Sequence, residues 1–467
     1  MKSIYINALM DFGNKTHKNN HPMKNILFFL FLGMSFWAPQ IVCAGDNSSL
    51  RNQVIPIAPE VWQCKSPQDT FSKEVKYLLR QNNKYLLNMW YNDVKHFNDQ
   101  KGQYLDFGGN TEHFIRPISH AAFTLAVCIK LKVYDAKVIG VTEKGALDIL
   151  CRLVRSVAYR HKANSNEKGW GDQWQSALWA SQVAEAAWMV WDKLSDDDRE
   201  LVCRMMVHEA DRFLNYDIPY YRDKAGNIIF KGDTKAEENA WNSNILTIAT
   251  AMMPKAANYN RWMKKNIELQ LSAYATPDDI HRDTVIDGIK LNDFLQGSNV
   301  NPDGTVINHS IIHPDYMVAF MHNATNTWVY NLARCKPLQS SVYNGELLYH
   351  TLTERLFNGK TIYQKTDDGH ASSLMYYPEG NDWGTGRQEN YWLMDIMAHI
   401  FSWDTGLSVK AMDWAKARNQ RMLEMMQRST TGKFYQEKTE NSFASREEWF
   451  GAQIAWGYLG WWLYNCM

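Results

Sequence analysis

From about residue 70 onward, apolar side chains recur every three or four positions almost without interruption. Leu178, Trp179, Val183, Ala187, Trp188, Trp191 and Leu194 fall on one face of a helix at that spacing. Ser195 and three aspartates then stop this helix and start another, with Asp198 placed to complete a capping box ahead of Leu201, Met205 and Leu214. The pair reads as a helical hairpin. The same periodicity predicts helices near residues 70–92, 112–132, 142–160, 239–252, 258–274, 313–332, 343–357, 387–402, 408–427 and 446–464. Strand-like alternation is confined to short pieces such as residues 227–231.

About twelve helices joined by alternately short and long connections predict an all-α chain, arranged as an (α/α)6-type toroid of hairpins. A helical solenoid is the competing arrangement, but no repeat of fixed period is present. The long connections, 220–233, 278–308 and 359–386, would gather on one face of a toroid and build a groove there. No Pro/Ser-rich linker divides the chain, so residues 45–467 read as one domain.

With 45% hydrophobic and 21% charged residues the chain has the composition of a folded protein. Lys+Arg 50 against Asp+Glu 50 leaves no overall field to hold a nucleic acid or an anionic membrane. Near the start, an apolar run over residues 25–37 follows Lys24 and leads to Val42-Cys43-Ala44. This is the pattern of a secretory signal cleaved after Ala44, with Met23 as the better start and residues 1–22 as an extension. The run is too short for a membrane span, which takes about 20 residues. Acylation of Cys43 is the alternative, giving a lipid-anchored form, although Val42 is bulky for such a site. The expected location is therefore secreted, periplasmic or cell-surface. Cys128, Cys151 and Cys203 sit inside apolar helical patterns and are expected as buried thiols.

Four polar clusters sit where a loop runs into a helix. The first holds Trp170 and Trp174 among glycines, a candidate platform for sugar rings or a wedge at a helix entrance. The second is Glu237, Glu238, Asn239 and Trp241, too many polar groups for capping alone. In the third, an Asp303-Gly304 turn precedes Asn308, His309, His313 and Tyr316. Such residues can supply a base and an acid for proton abstraction beside a carbonyl, given a group such as Asn239 to neutralise the substrate carboxylate. The fourth gathers Glu379, Asp382, Trp383, Arg387 and Glu389. Zinc at His309 and His313 is disfavoured, because Pro314 interrupts the helix that would align them. No phosphate loop, nucleophile elbow or dinucleotide fingerprint appears in a supporting context, and no cofactor is expected.

The order of Trp-rich segment, Asn at a helix start, Asp-Gly-Thr-Val-Ile-Asn-His and then Tyr resembles the α/α-toroid polysaccharide lyases that cut chondroitin, hyaluronan, xanthan and related uronate polymers. The resemblance implies that Asn239 neutralises the uronate carboxylate, that His309 and Tyr316 act as base and acid, and that Trp170 and Trp174 line the cleft. It also implies an Arg and a Glu late in the toroid, for which Arg387 and either Glu379 or Glu389 are the candidates. Glu238, Trp241, His313, Asp382 and Trp383 complete the expected substrate contacts. His309 and Tyr316 lie closer in sequence than in that family, and the helical pattern running to Trp462 leaves no room for a C-terminal β-sandwich.

Two other functions fit the same residues. A glycoside hydrolase on the same toroid would use a pair drawn from Glu237, Glu238, Asp303, Glu379 and Asp382. A non-catalytic glycan-binding protein of a polysaccharide uptake system would need the aromatic platforms but not the converging His, Tyr and acids.

Overall fold

The computed structural model describes residues 49–166 and 168–466. The expected signal segment, its cleavage point and Cys43 lie outside the described residues. Within them the fold is all-helical, and the strands are short antiparallel pairs inside the connections. No helix among the described residues is long and apolar enough to cross a membrane.

Two kinds of helix alternate along the chain. Every residue of Ser176–Met189 is buried, and Ala236–Met252, Gln388–Ile400 and Arg446–Cys466 are nearly as enclosed. Thr70–Lys84, Glu143–Tyr159 and Asp196–Asp211 instead bury one stripe and expose the other, as a helix packed on one side does. The enclosed helices pack on one another in sequence. Glu112–Lys130 meets Ser176–Met189, which meets Ala236–Met252, which meets Met321–Ala324 and Asn326–Leu332. Met321–Ala324 then meets Gln388–Ile400, Gln388–Ile400 meets Arg446–Cys466, and Arg446–Cys466 returns to Glu112–Lys130. Very close packing at these seams requires glycine: a Cβ at Gly457 would lie 2.1 Å from the ring of Trp392, and one at Gly460 would lie 2.5 Å from that of Trp328.

Ser195 accepts from the amide of Asp198 at 3.1 Å, so the N-cap between the first two recognised helices is present, but the Asp198 carboxylate pairs with Arg155 at 3.1 Å rather than closing the expected capping box. The segment expected as one helix over 313–332 is broken into Pro314–Val318, Met321–Ala324 and Asn326–Leu332. There Thr325 and Thr327 turn their hydroxyls onto the carbonyls of His322 and Ala324, competing with the helical ladder. Residues 227–231 form no strand; Ile228 makes a single bridge to Arg222, and Ile228, Ile229 and Phe230 are exposed. Cys128, Cys151 and Cys203 are buried thiols, whereas Cys64 and Cys466 form a disulfide across 402 positions of sequence.

Candidate active site

The N-terminal ends of the enclosed helices converge on one cavity of about 690 Å³. Glu112 and Arg116 come from the first, Trp174 and Gln175 from the residues leading into the second, and Glu237, Glu238 and Trp241 from the third. Asp315 and Tyr316, then Arg387 and Asn390, then Phe443 and Trp449 complete the wall. Converging helix N-termini turn the positive ends of their dipoles toward the space, which favours an anionic occupant. All three long connections reach the cavity, through Gly232 and Asp233, through Asn308, and through Trp383.

His309 sits at the tip of a two-residue hairpin between Ile307–Asn308 and Ile311–Ile312. Both turn residues have positive φ, 49° at His309 and 68° at Ser310, where Asn-Gly would be the unstrained choice. The turn is held from outside. Ser310 donates its amide to the Gly232 carbonyl at 2.9 Å, and a Cβ at Gly232 would come within 2.3 Å of the Ser310 hydroxyl. The His309 amide donates to Asn308 Oδ1 at 2.7 Å. Strain held in place by neighbouring groups is characteristic of functional positions.

From that tip His309 reaches two groups. Its Nδ1 lies 2.6 Å from Asp382 Oδ2, and its Nε2 lies 3.1 Å from the Tyr316 hydroxyl. A carboxylate only accepts, so Nδ1–H donates to Asp382, and in the tautomer with its proton there Nε2 accepts from the Tyr316 hydroxyl. The other oxygen of Asp382 accepts from Nε2 of His313 at 3.1 Å. Burial alone would raise the Asp382 pKa, but the hydrogen bonds from the two histidines outweigh it and hold the carboxyl below its ordinary value. Burial pushes His313 down and Tyr316 far up, the latter reinforced by the field of Glu237. Tyr316 is therefore a phenol at neutral pH.

His309, His313 and Asp382 also offer three ligand atoms within 4.8 Å of one another, a set that suits a divalent cation. Pro314 does not keep the histidines apart: the hairpin, rather than a helix, brings them together.

Arg387 donates to Asp315 at 2.9 Å, and Asp315 also accepts from Asn381, Asn390 and Tyr391. Arg116 pairs with Glu112 and Gln175 and lies 3.9 Å above the Phe443 ring. Nε of Arg387 and both Nε and Nη2 of Arg116 have no hydrogen-bond partner. Glu237 is also buried, with Oε2 unpartnered, and burial drives its carboxyl well above the usual range.

Several expected residues lie elsewhere. Asn239 is fully buried behind the wall, where its amide donates to the Pro219 carbonyl and the Ser272 hydroxyl. Trp170 has no exposed surface and donates its indole N–H to the Val157 carbonyl, so it wedges the helix entrance. Glu389 is buried against the Tyr435 hydroxyl at 2.6 Å, and burial lifts its pKa to about 7. Glu379 is exposed and accepts from the Ile312 amide. Trp174, by contrast, is 52% exposed at the cavity, with Trp241 edge-on to it at 4.9 Å. Glu238 and Trp383 line the cavity; His313 and Asp382 stand behind His309. Sequence reasoning missed Arg116. Its signal was available, a charged residue at a polar helix start just like the four recognised clusters.

No known protein family matches the chain, and no curated protein does.

Proposed function

We propose that the protein is an exported carbohydrate-active enzyme that cuts a uronate-containing polysaccharide by β-elimination, built on an (α/α)6-type toroid. The closed succession of contacts among the enclosed helices supports the toroid. Export is supported by the Cys64–Cys466 disulfide, since such bonds persist in oxidising compartments.

One observation carries the reading: the Asp382–His309–Tyr316 relay opens onto the same cavity as two buried arginines with unpaired N–H groups. Elimination needs both halves, a proton relay and an anion site. In the proposed cycle Arg387 and Arg116 receive the uronate carboxylate, in the role first expected of Asn239, and Glu237, its carboxyl pushed up by burial, offers an O–H from the same wall. Nε2 of His309 takes the C5 proton. The electron pair of that C–H bond forms the C4=C5 double bond, the C4–O4 bond breaks, and Tyr316 gives its proton to the departing oxygen. His309 then returns its proton to Tyr316 across their 3.1 Å contact, which restores the starting state. Trp174 offers an exposed ring face to a neighbouring sugar.

Glu237 favours a second reading. A carboxyl pushed well above its usual range by burial, in a cavity that also holds Glu238 and Asp315, is what a glycoside hydrolase requires of its general acid. Incubation with a panel of uronate polysaccharides separates the two. Ultraviolet absorbance rising in step with new reducing ends is the elimination result; new ends without absorbance would overturn it in favour of hydrolysis.

A further inference from the structure

A second cavity, of about 510 Å³, lies at the opposite ends of two of the enclosed helices, beside Lys130 and Leu131 of one and Trp462 of the other. From Arg116 to Lys130 the intervening helix rises roughly 21 Å, so this space is separate from the active site. Its wall contains Lys65, Lys73, Lys76, Arg80, Lys130 and Lys132, and among the described residues no carboxylate lines it. In a chain of zero formal net charge, six cations gathered around one space are a strong local excess.

Their existing partners do not neutralise them. Lys76 donates to the Pro67 carbonyl at 2.6 Å, Arg80 donates to the Val133 carbonyl at 2.8 Å, and Lys130 lies over the Trp62 ring at 5.1 Å. Asp69 and Asp192 are the acids whose fields reach Lys76 and Lys130. Both are otherwise engaged: Asp69 caps its helix through Ser72, and Asp192 pairs with Lys193 at 2.7 Å. The pKa of Lys76 is pushed down by burial first and by Arg80 next, the mark of a cation short of counter-charge.

Helix dipoles account for only part of the set. Lys130 and Lys132 sit at a helix C-terminus, where cations are favoured, but Lys73 and Lys76 lie in the first two turns of Thr70–Lys84, near the end where they are disfavoured. The space is far larger than a single ion and falls within the range of small-molecule sites. We propose that this cavity binds a small polyanion bearing sulfate or phosphate groups, with the six cations as its counter-charge. This holds whatever reaction the first cavity performs.

Titration calorimetry on the full chain at low salt, with inorganic pyrophosphate and separately with a multiply sulfated disaccharide, tests it. One-to-one binding of either probe, weakening as salt is added, is expected; the probe that binds more tightly identifies the phosphate or the sulfated-sugar source. Lys73→Gln with Lys130→Gln should weaken binding about fivefold for each lysine removed, with melting temperature unchanged. Lys144→Gln with Lys416→Gln, two exposed lysines outside the cavity, should leave it unchanged. Absence of heat with both probes, or equal loss in the two double variants, would overturn the proposal.

Discussion

The hydroxyl of Tyr316 stands 3.1 Å from Nε2 of His309, although one side chain leaves a helix and the other leaves the tip of a strained turn. Pro314 fixes where that helix begins, and the hairpin before it doubles the chain back, so seven positions of sequence close into one hydrogen bond. Asp382, on a different connection, sets which ring nitrogen is free to accept.

The relay predicts that His309→Ala and Tyr316→Phe each lower turnover by about 10²–10⁴-fold. Their melting temperatures should stay close to that of the parent, because His309 is partly exposed and the phenylalanine ring keeps the packing of Tyr316. Asp382→Asn should lose activity over a similar range: its amide can donate to Nδ1 and put the proton on Nε2, where it blocks acceptance from Tyr316. Initial rates beside thermal unfolding check all three, and a His309→Ala protein with parental activity would remove the relay.

The two tryptophans of the first cluster should separate cleanly. Trp174→Ala removes an exposed ring at the cavity and should raise KM roughly fivefold, about 1 kcal/mol, with stability unchanged. Trp170→Ala empties a fully buried site and should cost about 3–5 kcal/mol of stability, read from denaturant unfolding. A KM effect from Trp170 alone would reverse the assignment.

Arg387→Ala leaves Asp315 buried without its counter-charge and should destabilise the fold by about 3–5 kcal/mol. Combining Arg387→Gln with Asp315→Asn should recover most of that stability, since no buried charge is stranded, while activity stays low. Recovery of activity in the double variant would mean that Arg387 serves packing alone.

Glu185 is buried among the enclosed helices, and desolvation raises its pKa to about 8. Between the unfolded value near 4.5 and about 8, the folded state holds a proton that the unfolded state has released. Stability contributed at this site is therefore lost as pH rises through that window, and below it the site contributes no pH dependence. Glu185→Gln should melt several degrees above the parent at pH 8 and alongside it near pH 4. Parallel curves at both pH values would exclude the effect.

Helical content and most helix limits were legible because burial imposes a period on the sequence; the stripe from Leu178 to Leu194 is readable without any partner. The Asp303-Gly304 turn was legible from its residue types and closes with the Gly304 amide on the Asn301 carbonyl, but the hairpin that carries His309 at its tip was not, because strands of two residues leave no alternation to read. What brings Asp382 to His309, 73 positions apart, is carried by packing between connections and leaves no periodic trace. Exposure was equally hidden. Trp170 and Trp174 share a glycine-rich segment, yet one is enclosed and the other open, and Asn239 turns its amide away from the cavity that Glu238 faces. The six cations of the second cavity come from three stretches of sequence, each unremarkable by itself.

Because Cys64 is bonded to Cys466, the chain between them is a covalent ring. A protease that cuts any one exposed loop, such as the connection over 359–386, opens the ring without releasing a fragment. The nicked protein would migrate as one species until a reductant is added and as two afterwards. In any medium that contains a protease, the first cut would leave both halves still attached and still docked.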